Sequence, residues 1–279
     1  MPLSSSRYGK GRVRVLRLVR TGGRHDVREL TVRVILEGDF ARAYVQADNR
    51  AVIATDTIKN IVNVLAHRHP EADPETFATI VGRFLLDRYE QVDVADVHAT
   101  ETRWTRLVLD GASHDHAFTR DGNGRPFGHS VVGREGATVR SGIEDFTFMK
   151  TTDSGWSDFH SDKFRTLPDT TDRIVATSMD ATWTWAEVPD SYEAANGRVM
   201  DAMLRAFAGR YSESVQASMY RMGEAALAAV PAIRQIRLLM PNKHYIPIDL
   251  GPFGITDRTT VFLPTDEPHG QIEAVVDRG

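Results

Sequence analysis

Twice along this chain the same order of segments recurs: a pair of alternating apolar and polar stretches, a pair of amphipathic helical stretches, then alternating stretches again. In the first half Val13 and Val15 alternate with Arg12 and Arg14 over 12–20. Leu30, Val32, Val34 and Leu36 alternate with Thr31, Arg33 and Glu37 over 29–37, and turn residues Thr21-Gly22-Gly23 lie between the two stretches. Period-two alternation marks half-buried strands, so the pair reads as an antiparallel hairpin. Ile58, Ile61, Val62 and Leu65 then fall at helical spacing behind Thr55 or Asp56 as N-cap, and that helix ends by His69-Pro70. Phe77, Ile80, Val81, Phe84 and Leu85 follow behind Asp73 as N-cap, with Pro74 at the first helical position. Strands are expected at 96–109, 114–120 and 127–133, with a tight turn at Asp121-Gly122-Asn123-Gly124.

The second half repeats the order. Strands are expected at 138–150 and 173–186. One helix opens as a capping box, with Asp190 three residues before Glu193; another carries Val215, Met219, Met222, Ala226 and Val230. A strand at 232–240 and a last one at 258–263 complete the half. The fold class is therefore α+β, with each half an antiparallel sheet carrying a helix pair on one face. The boundary is expected between 1–136 and 137–279. Each sheet would leave unpaired edges, which closure or assembly removes, so the sheets are expected to join into a barrel on oligomerisation.

Composition limits the function. A net charge of -4 argues against a nucleic-acid binder. The absence of cysteine excludes disulfides, thiolate nucleophiles and Cys-ligated metal centres. No apolar run approaches the ~20 residues that span a bilayer. Residues 1–9 lack the apolar core of a secretory signal, and the terminal Asp277-Arg278-Gly279 is not a peroxisomal address. The cytoplasm is the expected compartment.

The chemistry concentrates in short polar runs beside apolar strands. Tyr8-Gly9-Lys10, Ala54-Thr55-Asp56-Thr57-Ile58-Lys59-Asn60, Asp172-Arg173-Ile174, Ser214-Val215-Gln216-Ala217 and Pro241-Asn242-Lys243-His244-Tyr245 together offer cations, an imidazole, amides and hydroxyls. In this order and spacing they resemble the signatures of the urate oxidase (uricase) family over nearly the whole chain. The resemblance implies tandem tunnelling-fold (T-fold) domains and a homotetramer with a central channel and sites at subunit interfaces. It implies oxidation of urate by O2 and water to 5-hydroxyisourate and hydrogen peroxide, with no metal and no organic cofactor.

It also implies roles. Lys10 and Thr55 resemble the family's proton-relay pair, which His244 extends. Arg173 matches the arginine that forks onto urate, and Gln216 suits a lactam edge. The N–H groups of Asp56 and Val215 are further donors, and Asn242 with Thr55 would hold O2 above the purine. Trp156 stands where the family has a stacking phenylalanine, with Phe159 the alternative if the loop shifts by three residues. Lys10, Thr55 and Asp56 would come from one subunit and the rest from its neighbour.

Taken singly, these residues have plainer readings. Arg173 and Lys10 are solvated charges, Thr55 a helix cap, Trp156 a packing residue and His244 a structural histidine. His114 and His116 share a strand face as a metal pair would, and His67 and His69 sit at a helix end; both pairs read as non-functional. Two other functions remain on the same fold: a zinc-dependent pterin or purine cyclohydrolase or synthase, and a non-catalytic purine-binding oligomer.

Overall fold

The alternation at 29–37 lies inside a longer strand. The structure, a computed structural model, describes residues 2–279. In it β1 (Tyr8–Thr21) and β2 (Arg24–Gly38) form the hairpin, β3 (Val92–Thr102) pairs with β2, and β6 (Arg125–Gly133) pairs with β3, all antiparallel. Helices α2 (Thr55–Arg68) and α3 (Pro74–Arg88) cover one face. Ile58, Val62, Phe77, Val81 and Leu85 pack there with Leu30, Val32, Val34, Leu36 and Val97, all fully buried. Each such side chain contributes roughly 1.5–3 kcal/mol by leaving water.

Local chemistry explains where the chain departs from expectation. Asp73 caps α3 by accepting from Thr76 N–H at 2.8 Å, with Pro74 inside the first turn, as expected. The N-cap of α2 is instead Ala54, with no side-chain cap. Thr55 and Asp56 are already helical, and the Asp56 carboxylate is drawn along the helix to Lys59 and to Asn60 Nδ2 at 3.0 Å. A short helix, α1 (Ala41–Gln46), buries no residue and so leaves no periodic trace. The strand expected at 96–109 breaks at Arg103. Beyond it β4 (Trp104–Leu109) pairs with β5 (Ala112–Arg120) in a separate two-stranded sheet.

The chain divides into two compact units, Met1–Gly142 and Ile143–Gly279, so the division falls inside β7 (Gly136–Lys150) rather than at its start. In the second unit β8 (Val175–Trp185) pairs with β9 (Ile233–Leu239) over much of its length and with β10 (Asn242–Pro247) at Ala176. The strand expected at 258–263 is two strands: β11 (Phe262–Gly270), beside β10, and β12 (Glu273–Asp277), beside β9. Helices α4 (Tyr192–Ala208) and α5 (Val215–Ala229) supply the apolar layer, with Met203, Met219 and Met222 buried together with Trp183, Ile236 and Leu238. The cap of α4 is Ser191, not Asp190: its extended backbone lets Oγ accept from Ala194 N–H at 3.2 Å.

The two units share a device that no strand or helix pattern displays. The C-terminal end of each of α2, α3, α4 and α5 is closed by a cation on a strand or just beyond one. Arg17 on β1 donates to His69 O at 2.8 Å and Ala72 O at 2.7 Å beyond α2. Lys150 on β7 donates to Phe207 O at 3.3 Å and Arg210 O at 2.7 Å at the end of α4. Arg134, after β6, reaches Leu86 O, Glu90 O and Val92 O around the end of α3; Arg278, after β12, reaches Leu227 O, Val230 O and Ile233 O around the end of α5. Helix C-termini expose orphan carbonyls and partial negative charge, so a cation there answers both. A second pair matches as well. Gly82 of α3 packs against Val132 of β6, and Gly223 of α5 against Val276 of β12; a Cβ would meet the valine methyl at 2.5 and 2.6 Å respectively. No helix among the described residues is long and apolar enough to cross a membrane.

Candidate active site

In the second unit the loop 151–174 is fastened before it reaches β8. Gly155 N–H donates to Ser212 O at 2.8 Å, Ser212 N–H to Asp153 O at 3.0 Å, and Arg173 N–H to Ser154 O at 2.8 Å. Trp156 and Thr170 exchange two backbone hydrogen bonds, of 2.7 and 2.9 Å. A Cβ on residue 155 would come within 2.1 Å of Tyr211 Oη and 2.9 Å of Thr170 O, so a larger residue there would displace the Tyr211 ring and crowd the strand bridge. This bracing brings Trp156 and Arg173 to the N-terminus of α5. There Ser214 caps the helix by accepting from Ala217 N–H at 3.0 Å. The cap leaves the N–H groups of Val215 and Gln216 without intrahelical acceptors. Asn242 and His244, one strand period apart on β10, line the same cavity.

These six residues line one cavity of about 770 Å³, within the range of small-molecule sites. Ile174, from the same motif as Arg173, adds apolar wall with Leu167, Ile246 and Ile272, and Gln271 adds a polar group; no sequence motif pointed to the last four. Arg173 dominates the electrostatics. Burial pushes its guanidinium below the usual arginine range, and its Nε is buried without a hydrogen-bond partner. Tyr211 is the electrostatic neighbour that raises it, and the Arg173 Cζ lies 6.0 Å from the Trp156 ring centre. A partly desolvated, planar cation beside free helix N–H groups favours a flat anion. Lys243, between Asn242 and His244, instead pairs with Asp266 at 3.2 Å.

The other three expected residues lie in the first unit. Lys10 stands on β1 opposite Val34, where the strand bulges before Val13 and Arg12 takes the left-handed conformation, φ 56. Thr55 and Asp56 form the exposed first turn of α2, whose first intrahelical bond runs from Ile58 N–H to Ala54 O. The N–H groups of Thr55, Asp56 and Thr57 therefore have no acceptor within the helix. The Asp56 carboxyl is held below its usual range by its bond to Lys59, and the Lys10 charge adds to the effect, so Lys10 and Asp56 share one neighbourhood.

Neither histidine pair lines this cavity. The His114 and His116 rings meet edge to face at 4.7 Å, and His116 N–H donates to His114 Nδ1 at 3.3 Å. Among the described residues no three His, Asp or Glu side chains are placed to hold a metal ion.

A family profile described as Uricase matches residues 6–131 and 139–273. The chain belongs to the uricase family. It is 37% identical to the uricase of Emericella nidulans, over 99% of this chain and 97% of that one. To the uricase of Arthrobacter globiformis it is also 37% identical, over 99% and 90%. The crystal structure of the Arthrobacter globiformis uricase superposes with a TM-score of 0.94 at 35% identity, covering 100% of this chain and 95% of that one. The urate oxidase of Bacillus sp. TB-90 superposes at 0.86 with 19% identity, which shows the shared fold. The α+β architecture is thus the tunnelling fold of this family.

Proposed function

We propose that this chain oxidises urate with O2 and water to 5-hydroxyisourate and hydrogen peroxide. The observation that carries the proposal is Arg173: half-buried, with its Nε buried and without a hydrogen-bond partner, on the wall of the cavity that Trp156, Val215, Gln216, Asn242 and His244 also line, in a member of the uricase family. Urate is a planar anion with carbonyl and N–H groups around its rim. Arg173 forks onto one edge, Gln216 pairs a lactam edge, and the free N–H of Val215 donates beside them. Trp156 supplies the flat face.

Two electrons leave the purine, O2 accepts them and becomes hydrogen peroxide, and water supplies the new hydroxyl. The protein's part is to move protons and to hold O2, then water, over the ring. Lys10 and Thr55 form the relay that removes the purine proton, a kind of step worth roughly 10²–10⁴-fold. His244 extends the relay and Asn242 with Thr55 holds the oxygen species. The N–H of Asp56 binds the substrate rim from an uncapped helix end. In this proposal a homotetramer supplies Lys10, Thr55 and Asp56 from one subunit and the other residues from its neighbour, and the protein acts in the cytoplasm.

A zinc-dependent cyclohydrolase or synthase would need a ligand set, and no such set converges among the described residues. The test is oxygen uptake recorded together with loss of urate absorbance on chelator-treated protein. Matched consumption with one peroxide released per urate supports the proposal; tight urate binding without turnover would overturn it in favour of a purine-binding oligomer.

A further inference from the structure

Phe159 does not line the cavity, yet its ring lies parallel to the one that does. The Phe159 and Trp156 ring centres are 5.2 Å apart, with the planes inclined by 15°. Residues three apart in a loop stack in this way only if the chain folds back between them. Asp158 supplies that fold by adopting φ 56, a left-handed conformation that aspartate tolerates better than most residues but that still costs about 1–2 kcal/mol. Strain held this close to a ligand cavity points to a use.

The stack continues outward. The Arg165 guanidinium lies 4.0 Å from the Phe159 ring centre and is itself held, by Leu167 O at 3.0 Å and by the Asp169 carboxylate. On the inner side the Trp156 backbone is fixed to Thr170. Indole, phenyl and guanidinium thus stand in series, and only the indole reaches the cavity.

We propose that Phe159 and Arg165 are positioning residues that hold the Trp156 indole as a preset stacking face for the planar substrate, with the left-handed turn at Asp158 as the hinge. The proposal rests on the urate-oxidising function above. It also divides the labour between the two aromatics: Trp156 touches the purine and Phe159 acts through Trp156. The physical gain is preorganisation. A large side chain at a cavity wall that is free to change rotamer must be ordered when ligand binds, and that cost is subtracted from affinity. Clamping the indole beforehand removes the cost from binding while leaving the proton relay untouched, so the effect falls on KM and not on kcat.

The test is a double-mutant cycle on Trp156→Ala and Phe159→Ala in the full-length protein. It reads KM and kcat for urate and, separately, the dissociation constant of xanthine, a planar probe. Phe159→Ala is expected to raise KM and the xanthine constant on the order of three- to tenfold, the worth of one aromatic pair. It should change kcat by less than about twofold, and Phe159→Tyr should restore the wild-type values. In the Trp156→Ala background Phe159→Ala should have no further effect, because nothing is left to position. Equal shifts with and without Trp156, or an unchanged KM in the single variant, would overturn the proposal. Should Phe159→Ala fail to fold, Arg165→Gln runs the same cycle with a smaller expected shift, about twofold, and the same refuting outcome. If the wild type binds xanthine but leaves urate untouched, the urate reading fails and the xanthine cycle still decides the stack.

Discussion

His98 should make the stability of the first unit depend on pH between its unfolded and folded values. It stands on β3 directly opposite Arg33 of β2 and His129 of β6. Its ring stacks on Phe127 at 4.7 Å, and Asp96, two residues before it, accepts from Arg7 at 2.9 Å, from Arg33 at 3.2 Å and pairs with His129 at 3.0 Å. Burial first, then the charges of His129 and Arg33, push the His98 imidazole down from 6.5 to about 4. The folded state therefore resists a proton that the unfolded chain takes up at 6.5. Stability is full above pH 6.5, falls as pH drops toward 4, and is level with respect to this group below that. The loss across the window is about 2–3 kcal/mol, allowing for the ring's partial exposure. Asp96, whose carboxyl is held at about 2, chiefly by its bond to His129, acts in a separate window below pH 4. Phenylalanine at position 98 keeps the stack on Phe127 and cannot be protonated. Urea unfolding at fixed protein concentration, from pH 4.5 to 7.5, should show His98→Phe gaining on the wild type by about 2 kcal/mol as pH falls. Parallel curves for the two proteins would refute the assignment.

Other consequences are simpler to measure. Arg12, left-handed beside Lys10, is strained, so Arg12→Gly should raise stability by about 0.5–1 kcal/mol in thermal unfolding; a lowered midpoint contradicts this. Arg278→Ala removes charged hydrogen bonds from three carbonyls around the end of α5 and should destabilise the protein by about 1–2 kcal/mol in denaturant titration, the residue's exposure reducing the loss; no change would show that the carbonyls are served as well by water. Arg173→Ala should weaken xanthine binding at least about tenfold by calorimetry, since a charged fork worth roughly 1.5–3 kcal/mol is lost; an unchanged constant removes Arg173 from the site.

What the sequence displayed was whatever depends on neighbours along the chain. Asp73-Pro74 marks the start of α3, and the stripe from Val215 through Met222 lies on α5, because caps and apolar periods are local. The β10 strand was harder to see: Asn242 to His244 is polar throughout, and its strand character comes from pairing with β8 and β11. The cations Arg17, Arg134, Lys150 and Arg278 look like solvated charges in sequence, because their partners are backbone carbonyls, which composition does not reveal. Among the site residues, the types and order of Arg173, Gln216, Asn242 and His244 were legible. The partial burial of Arg173 was not, since it depends on a loop fastened at Ser154, Trp156 and Thr170. The left-handed turn at Asp158 that stacks Phe159 on Trp156 was equally hidden, and so the sequence left the two aromatics as alternatives.

In the proposed function urate is oxidised where Lys10 of one subunit meets Arg173 of another. Complementation between two variants is the decisive test. Lys10→Met and Arg173→Ala, each expected to lose most urate turnover on its own, are co-expressed under separate tags, mixed oligomers are isolated through both tags, and urate consumption is measured. If each site takes Lys10 from one subunit and Arg173 from its neighbour, random mixing restores about a quarter of the sites, the product of two halves. Activity near that fraction of wild type is the predicted result. Mixed oligomers with no more activity than the parents would contradict the shared site.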